Sequence, residues 1–394
     1  MSDAVIIDVV RTAVAKGKPN GALAALHPVD LLAQTLRQLV ERQSLDPRTI
    51  DDVLAGCVQQ SGEQAGNIAH TAALAAGFPE SVPGTTINRQ CGSSQQAAVF
   101  AAQGVAAGAY DLVIACGVES MSAVPLGSAP AGRDNFGPTV RARYPEGLVR
   151  QGVSAELVAA RWGLDRGDLD TFAAASHQRA AAAADRGWFD GQLVPIHVPG
   201  ASAPHTTDET IRAGTNRASL ASLRPAFHSD EHAARFPEIG WHVTPGNSSP
   251  LTDGASAVLI ASRERAEQLG LEPRARFHAS SVVGDDPLLM LTAPIPATRK
   301  VLDRAGLTVD DIDAFEVNEA FASVPLAWAK ELHVDLDRVN PWGGAIALGH
   351  PLGSSGTRLL GTLVAHLEHT GGRYGLQTMC EAGGLANATI IERC

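Results

Sequence analysis

Short, uniformly apolar runs alternate with helical patterns along most of the chain. Ala4 to Val10, Val53 to Val58 and Leu112 to Cys116 are unbroken β-rich stretches, whereas Val29 to Gln43 and Gln95 to Ala107 carry helical patterns. The alternation predicts an α/β protein. Strands that are apolar on both faces further predict sheets covered by helices on each side.

The pattern also repeats. Leu45 to Val53 follows a helical stretch and leads into a strand, as Leu307 to Phe315 does near the other end. Strand ends at Ile87-Asn88 and Val339-Asn340 each precede a Gly/Ser-rich turn and a long helix. A strand closing on a cysteine then follows, Leu112 to Cys116 in one case and Leu376 to Cys380 in the other, which equates Cys116 with Cys380. Two similar halves around a pseudo-twofold core are expected, with the site where they meet. Met121 to Thr252 differs in composition, with many Pro, Gly, Arg and His residues, helical stretches at Ser154 to Trp162 and Asp168 to Arg186, and irregular segments such as Pro195 to Thr210. We read residues 121–252 as an inserted loop or lid domain, a common place for substrate recognition. Residues 1–120 with 253–270 then form the N-terminal half, and 271–394 the C-terminal half.

Composition narrows the function. A formal charge of -11 over 394 residues argues against a nucleic-acid partner. No apolar run approaches the roughly 18 residues that cross a bilayer. Met1 to Arg11 lacks the pattern of a signal peptide, so a cytoplasmic protein without membrane partners is expected. The five cysteines (Cys57, Cys91, Cys116, Cys380, Cys394) are odd in number and widely spaced, with no CxxC pair and no zinc-type spacing. Reduced thiols and no metal site are expected.

Candidate chemistry lies at three glycine-bearing turns. Cys91 stands in Asn88-Arg89-Gln90-Cys91-Gly92-Ser93-Ser94-Gln95-Gln96, between a strand and an alanine-rich helix, where a helix N-terminus favours a thiolate. By residue type alone, a buried structural cysteine is the commoner outcome. His350 is flanked by glycines and by Pro351, so a rigid segment presents its ring. Cys380 closes a strand ahead of Glu381-Ala382-Gly383-Gly384, whose backbone N–H groups suit an oxyanion. Asn318-Glu319-Ala320-Phe321 follows the strand Ala314 to Val317, at the strand end where open α/β sheets place their chemistry. Spacing leaves an ordinary helix cap at Asn318 open. Cys57, Cys116 and Cys394 are read as non-catalytic. Two thiols and an imidazole gathered in one cavity suit the making or breaking of a carbon–carbon bond beside a thioester.

The blocks around Cys91, Asn318, His350 and Cys380, in this order and spanning essentially the whole chain, resemble the thiolases, the family of 3-oxoacyl-CoA thiolases and acetyl-CoA acetyltransferases. The segments Gln90 to Ala97 and Met379 to Gly384 most resemble actinobacterial acyl-CoA-degrading thiolases, including those of steroid breakdown. The resemblance implies a five-layer αβαβα fold of two duplicated halves with an inserted loop domain. It implies Cys91 as the acyl-carrying nucleophile, His350 as its activator and Cys380 as the acid/base. By the same resemblance, Asn318 would hold a water that, with His350, receives the thioester oxyanion, and the backbone N–H groups of Cys91 and Ala382 would line a second oxyanion site. Coenzyme A is implied as co-substrate with no permanently bound cofactor, touched by Arg212, Ser219 and Ser249. The implied partners are acyl-CoA and CoA, in a homodimer or homotetramer.

Several positions depart from the family pattern. Ala382 and Ser94 replace usual glycines; at Ala382 a left-handed φ would cost about 1–2 kcal/mol, a negative one nothing. Arg150-Gln151-Gly152 stands where acetoacetyl-specific members carry His-Met before a glycine, and His228 to Gly240 looks inserted. These features favour thiolytic cleavage of 3-oxoacyl-CoA to acetyl-CoA and a shortened acyl-CoA. The alternatives are an acetoacetyl-CoA-forming acetyl-CoA acetyltransferase and a non-catalytic acyl-CoA binding protein.

Overall fold

The computed structural model describes residues 3–394. Its strands follow one order in each half. In the first half Gly84–Ile87, Asp52–Gly56, Leu112–Ser120, Thr252–Ser262 and Ala4–Thr12 lie side by side; in the second, Ala314–Val317, Tyr374–Glu381, Leu385–Arg393 and Ala275–Gly284 do. The missing second-half edge strand is reduced to a single bridge between Phe315 and Val339. Parallel and antiparallel pairings also match, parallel toward the Gly84–Ile87 and Val339 edges and antiparallel toward the centre. The two sheets join only where Val5 and Ile6 pair with Arg276 and Ala275.

Five layers result. The Pro28–Arg42 and Ile68–Ala75 helices cover the outer face of the first sheet, and Pro294–Ala305 and Ser323–Leu332 that of the second. The Ser93–Ala106 and Ser355–Thr370 helices fill the space between the sheets. Outer helices read as amphipathic: in Pro28–Arg42, Leu31, Leu32, Leu36 and Leu39 are buried, proline opens the first turn, and the His27 ring caps it by accepting from Val29 N–H. The central Ser93–Ala106 helix has cover on both sides, and its alanines Ala97, Ala98, Ala101 and Ala102 allow the close approach of two sheets. Ser94, at a position where glycine is usual, accepts a hydrogen bond from Thr357 N–H and so ties the two central helices together.

Backbone hydrogen bonds fix the correspondence of the halves. Asp51 N–H donates to Leu112 O as Asp313 N–H donates to Tyr374 O, and the Asp51 and Asp313 carboxylates each accept from the amides that start the next strand. This register corrects the expected pairing of the cysteines: Cys116 equates with Thr378, and Val118 with Cys380. The strand does not stop at Cys116 but continues to Ser120, because Gly117 and Glu119 are as buried as the apolar residues before them. Glu119 therefore faces Glu381 across the pseudo-symmetry.

Residues 121–252 supply the Gln151–Trp162 and Arg166–Asp185 helices. Their Ala155, Val158, Leu169 and Phe172 pack with Phe321, Val324, Ile346 and Cys380 of the second half. The inserted region thus lies over the ends of the second-half strands, where the candidate residues are.

Candidate active site

Cys91 sits in a strained connection. The strand Gly84–Ile87 ends, Gln90 takes a left-handed φ of 50°, and the helix opens at Ser93 with Gly92 as its cap. A non-glycine residue in that region costs energy, held here by surrounding bonds. Asn88 Oδ1 accepts from Gln90 N–H at 2.9 Å, and Ser93 Oγ accepts from Arg89 N–H at 3.0 Å. The thiol is 4% exposed, packed with Val58, Met121, Leu352 and Met379. Burial first, and then the Glu381 charge, push it up to about 12, opposed by the amides of Cys91 itself and of Ala382, both directed at the sulfur. The thiolate favoured by a helix N-terminus is thus overturned for the resting protein: Cys91 precedes the cap and is desolvated, so it stays a neutral thiol.

The second thiol is its neighbour. Cys380, 1% exposed, is raised far above the ordinary thiol range by burial and then by Cys91, whose charge reaches it. Ala382 has a negative φ, while Gly383 and Gly384 after it take 90° and 81°. Alanine therefore stands in place of the usual glycine without backbone strain, and its N–H still points at Cys91.

His350 is presented by a glycine that nothing else can replace. Gly349 has φ 76°, and a Cβ there would lie 2.7 Å from Thr252 Cγ2 and Val14 Cγ1. His350 N–H donates to Thr252 Oγ1 at 2.9 Å, locking the segment to the start of a first-half strand. Ser355 Oγ donates to Pro351 O, so it accepts from His350 Nδ1 at 2.6 Å; Asn318 Nδ2 donates to Nε2 at 3.2 Å. These partners define a neutral ring protonated on Nδ1, with its Nε2 lone pair turned toward Asn318. Burial and then the Arg358 cation drive the ring down to about 3. Asn318 is held by its N–H on Thr378 O, two residues before Cys380. Leu352, two residues after His350, packs in the same cluster as Cys91. The imidazole, the amide and both thiols therefore converge from the two halves.

Buried carboxylates brace this convergence, a role the sequence did not reveal for Glu119 or for Glu319 of the Asn318 block because their partners are distant in the chain. Glu119 accepts from the N–H groups of Val58, Gln59 and Gly353 and from Gln64 Nε2. Glu319 accepts from Ser176 Oγ, Asn340 Nδ2 and Ile346 N–H, joining the inserted region to the segment after Asn318.

The residues expected to touch CoA are more scattered. Ser249 is tied to the catalytic segment through its N–H on Ala320 O at 3.0 Å. Arg212 is exposed, its N–H on His177 Nδ1. Ser219 closes the capping box of the short Arg217–Ala221 helix. Among the described residues no hydrogen bond joins these three to the thiols or to His350. Cavities of about 480 and 590 Å³ lie elsewhere, one lined by Asp165, Ser176, Arg179 and Asn340, the other by Asp286, Arg299, Lys330 and Glu331. Neither is lined by a thiol, and the chemistry of the groups, not cavity size, identifies the site. Among the described residues no cluster of three or more His, Cys, Asp or Glu side chains is arranged to hold a metal, and no helix is long and apolar enough to cross a membrane.

Burial pushes both Glu316 and Glu381 up to about 8. Folded, they keep protons that the unfolded chain releases near the ordinary value of 4.5. Their stabilisation is complete below that value and is lost as the pH rises through about 8. Chemical denaturation should give an unfolding free energy lower at about pH 8.5 than at about pH 6.5, by about 2 kcal/mol for each carboxyl and about 4 kcal/mol for the two. Equal or rising stability would show that these carboxyls are ionised in the fold.

A neutral imidazole, two neighbouring buried thiols and backbone donors on one sulfur suit an acyl-transferring enzyme of α/β architecture. The chain belongs to the thiolase family: the thiolase N-terminal domain matches residues 4–264 and the thiolase C-terminal domain residues 271–393. It is 48% identical over 401 residues to a steroid 3-ketoacyl-CoA thiolase of Mycobacterium tuberculosis, covering 100% of this chain and 95% of that protein. It is 42% identical over 400 residues to a 3-ketoacyl-CoA thiolase of Aliivibrio fischeri, covering 100% of both. The crystal structure of the Bacillus anthracis acetyl-CoA acetyltransferase superposes with a TM-score of 0.89 at 36% identity, covering 100% of this chain and 99% of that one.

Proposed function

We propose that this protein cleaves 3-oxoacyl-CoA with free CoA, through an acyl group carried on Cys91. The observation that carries the reading is the pair of neighbouring buried thiols, Cys91 close enough to raise Cys380, with the Ala382 N–H aimed at Cys91. His350 Nε2 takes the Cys91 proton, and the thiolate attacks C3 of the substrate. The amides of Cys91 and Ala382 receive the C3 oxyanion, each preorganised donor lowering the barrier by about 3 kcal/mol. The C2–C3 bond then breaks. Cys380, a neutral thiol at the working pH, gives its proton to C2 of the departing enolate, whose oxygen is met by His350 and a water held at Asn318. After acetyl-CoA leaves, the Cys380 thiolate takes the proton of incoming CoA. CoA attacks the acyl group, and Cys91 departs with the proton held on His350, restoring both thiols.

The acyl group belongs to the degradative range, and the relative named for steroid 3-ketoacyl-CoA places bulky acyl groups in the test. The Phe227 ring packs closely on Gly152, where a Cβ would lie 2.3 Å from it, so an aromatic ring borders the segment in which Arg150-Gln151 replaces His-Met. A panel of acetoacetyl-CoA, longer linear and ring-bearing 3-oxoacyl-CoA substrates should show kcat/KM lowest for acetoacetyl-CoA. Preference for acetoacetyl-CoA identifies the acetyltransferase instead, and CoA binding without cleavage of any substrate identifies a non-catalytic binder.

Arg212, Ser219 and Ser249 are the proposed CoA contacts, through the phosphates and the pantetheine. Residues 1–120 with 253–270 and residues 271–394 are the proposed halves, and 121–252 the insertion. We place the enzyme in the cytoplasm, in keeping with five unpaired cysteines. A homodimer or homotetramer is supported by exposed Leu126, Phe136 and Val140 in the insertion and by the open edge strand Gly84–Ile87.

A further inference from the structure

Glu381 follows the second thiol directly, and nothing in the reaction above uses it. Its pseudo-symmetric counterpart shows what a carboxylate at this place ordinarily does. Glu119 is fully buried and accepts four hydrogen bonds, one of them from Gly353 N–H. Gly353 stands two residues before the first residue of its central helix, as Cys91 does before its own. Glu381 is equally buried, lies against the equivalent turn, and has no side-chain donor on either oxygen, only the Asn387 backbone N–H being directed at it, where Glu119 has four donors.

The neighbours of Glu381 make the difference chemical. Its Oε1 lies 2.0 Å from where a Cβ on Gly92 would be, so only glycine can follow Cys91 while this carboxyl is present. Asn387 Nδ2 lies on the same side and donates to Gly92 O at 3.2 Å. That bond fixes the amide orientation and leaves Asn387 Oδ1, a buried acceptor, without a donor. Buried against Gly92 with no side-chain donor on either oxygen, the Glu381 carboxyl is favoured as the neutral acid over the carboxylate.

We propose that Glu381 is a positioning residue for the nucleophile: as the acid it packs against Gly92 and holds the turn after Cys91, and as the carboxylate it opposes formation of the Cys91 thiolate. The proposal rests on Cys91 being the nucleophile. The charged and titratable groups facing Glu381 are Arg89, from the turn before Cys91, and the two thiols. Arg89 favours the charged form but is outweighed by burial, which keeps the acid up to about pH 8. Above that, the charge is the largest electrostatic influence raising Cys91 after burial itself. The enzyme thus carries a second proton beside its nucleophile and loses reactivity per unit of pH once that proton leaves.

The test reads Cys91 alkylation by iodoacetamide, quantified on the Cys91 peptide by mass spectrometry, between about pH 6 and pH 10. In the wild-type protein the logarithm of the rate should climb with unit slope, flatten into a shoulder near pH 8, and resume. Glu381→Gln should remove the shoulder and alkylate about fivefold or more faster at the alkaline end. Glu381→Ala, which empties the space against Gly92, should lower thiolysis at neutral pH about tenfold, and Glu381→Gln should restore most of it, because it refills that space without a charge. A straight wild-type profile overturns the proposal even if the variants fail to fold, as does Glu381→Gln performing no better than Glu381→Ala. Failure of Cys91 to alkylate at any pH overturns the nucleophile assignment instead, so the two outcomes are distinguishable.

Discussion

Cys91→Ala should reduce acetyl-CoA release from 3-oxoacyl-CoA and CoA by about 10⁴-fold or more. The proposal gives the acyl to no other thiol: Cys380 lacks the pair of amides directed at Cys91, Cys57 and Cys116 are buried among core residues of the first half, and Cys394 is the exposed terminal residue. The substitution removes one small side-chain atom from a packed cluster, so the melting temperature should fall only slightly. Loss of activity with an intact thermal transition is the expected result, read by coupled assay and calorimetry on the same sample. A variant that keeps more than about a hundredth of wild-type turnover would move the nucleophile elsewhere.

The second large effect separates the two thiols. Cys380→Ser should cut carbon–carbon cleavage by about 10²–10⁴-fold, the usual range for losing a positioned acid/base. It should leave acylation of Cys91 from a simple acyl-CoA, since that half-reaction needs His350 and the two amides but no proton on C2. Rapid-quench mass spectrometry of the variant with acyl-CoA should show the acyl adduct. If Cys380→Ser and Cys91→Ala lose acylation equally, the roles given to the thiols are wrong. The raised Cys380 fits the acid role: a thiol that is neutral at working pH has a proton to deliver.

Much of this arrangement was legible in the residues. Uniformly apolar runs revealed the buried strands, and the Leu45 to Val53 and Leu307 to Phe315 blocks revealed the duplication, because turns between equivalent elements reuse the same backbone-bonding aspartates. Asp51 and Asp313 do so in the structure. The glycine-bearing turns at Cys91, His350 and Cys380 were found for the reason that makes them useful, namely that a side chain presented from a sharp turn needs small neighbours. The strand through Cys116 was cut short because Gly117 and Glu119 read as a turn, whereas burial of Glu119 with four donors lets the strand continue. The ionisation of Cys91 was misread because a helix N-terminus is local and visible, while desolvation by Val58, Met121, Leu352 and Met379 depends on chain segments far away. Glu381 was overlooked, yet the likeness of Gly117-Val118-Glu119 to Met379-Cys380-Glu381 was present in the sequence once the register between halves is known.

The duplication also explains why one site arises and not two. The place of Cys91 before the first central helix is taken by Gly353 before the second. Asn88, which corresponds to His350, bonds Val58 O and the Gln90 amide and serves its own turn. With the proposed roles, each half contributes what the other lacks, the nucleophile from the first and the base and acid from the second.

The central claim is that the substrate acyl group passes onto Cys91. The direct measurement is to mix the wild-type protein with a 3-oxoacyl-CoA in the absence of free CoA, quench in acid, and map the added mass by peptide sequencing. The account predicts a single shortened acyl group on the peptide containing Cys91, with one acetyl-CoA released per adduct. An acyl group found on the Cys380 peptide, or acetyl-CoA released with no adduct on any cysteine, would contradict it.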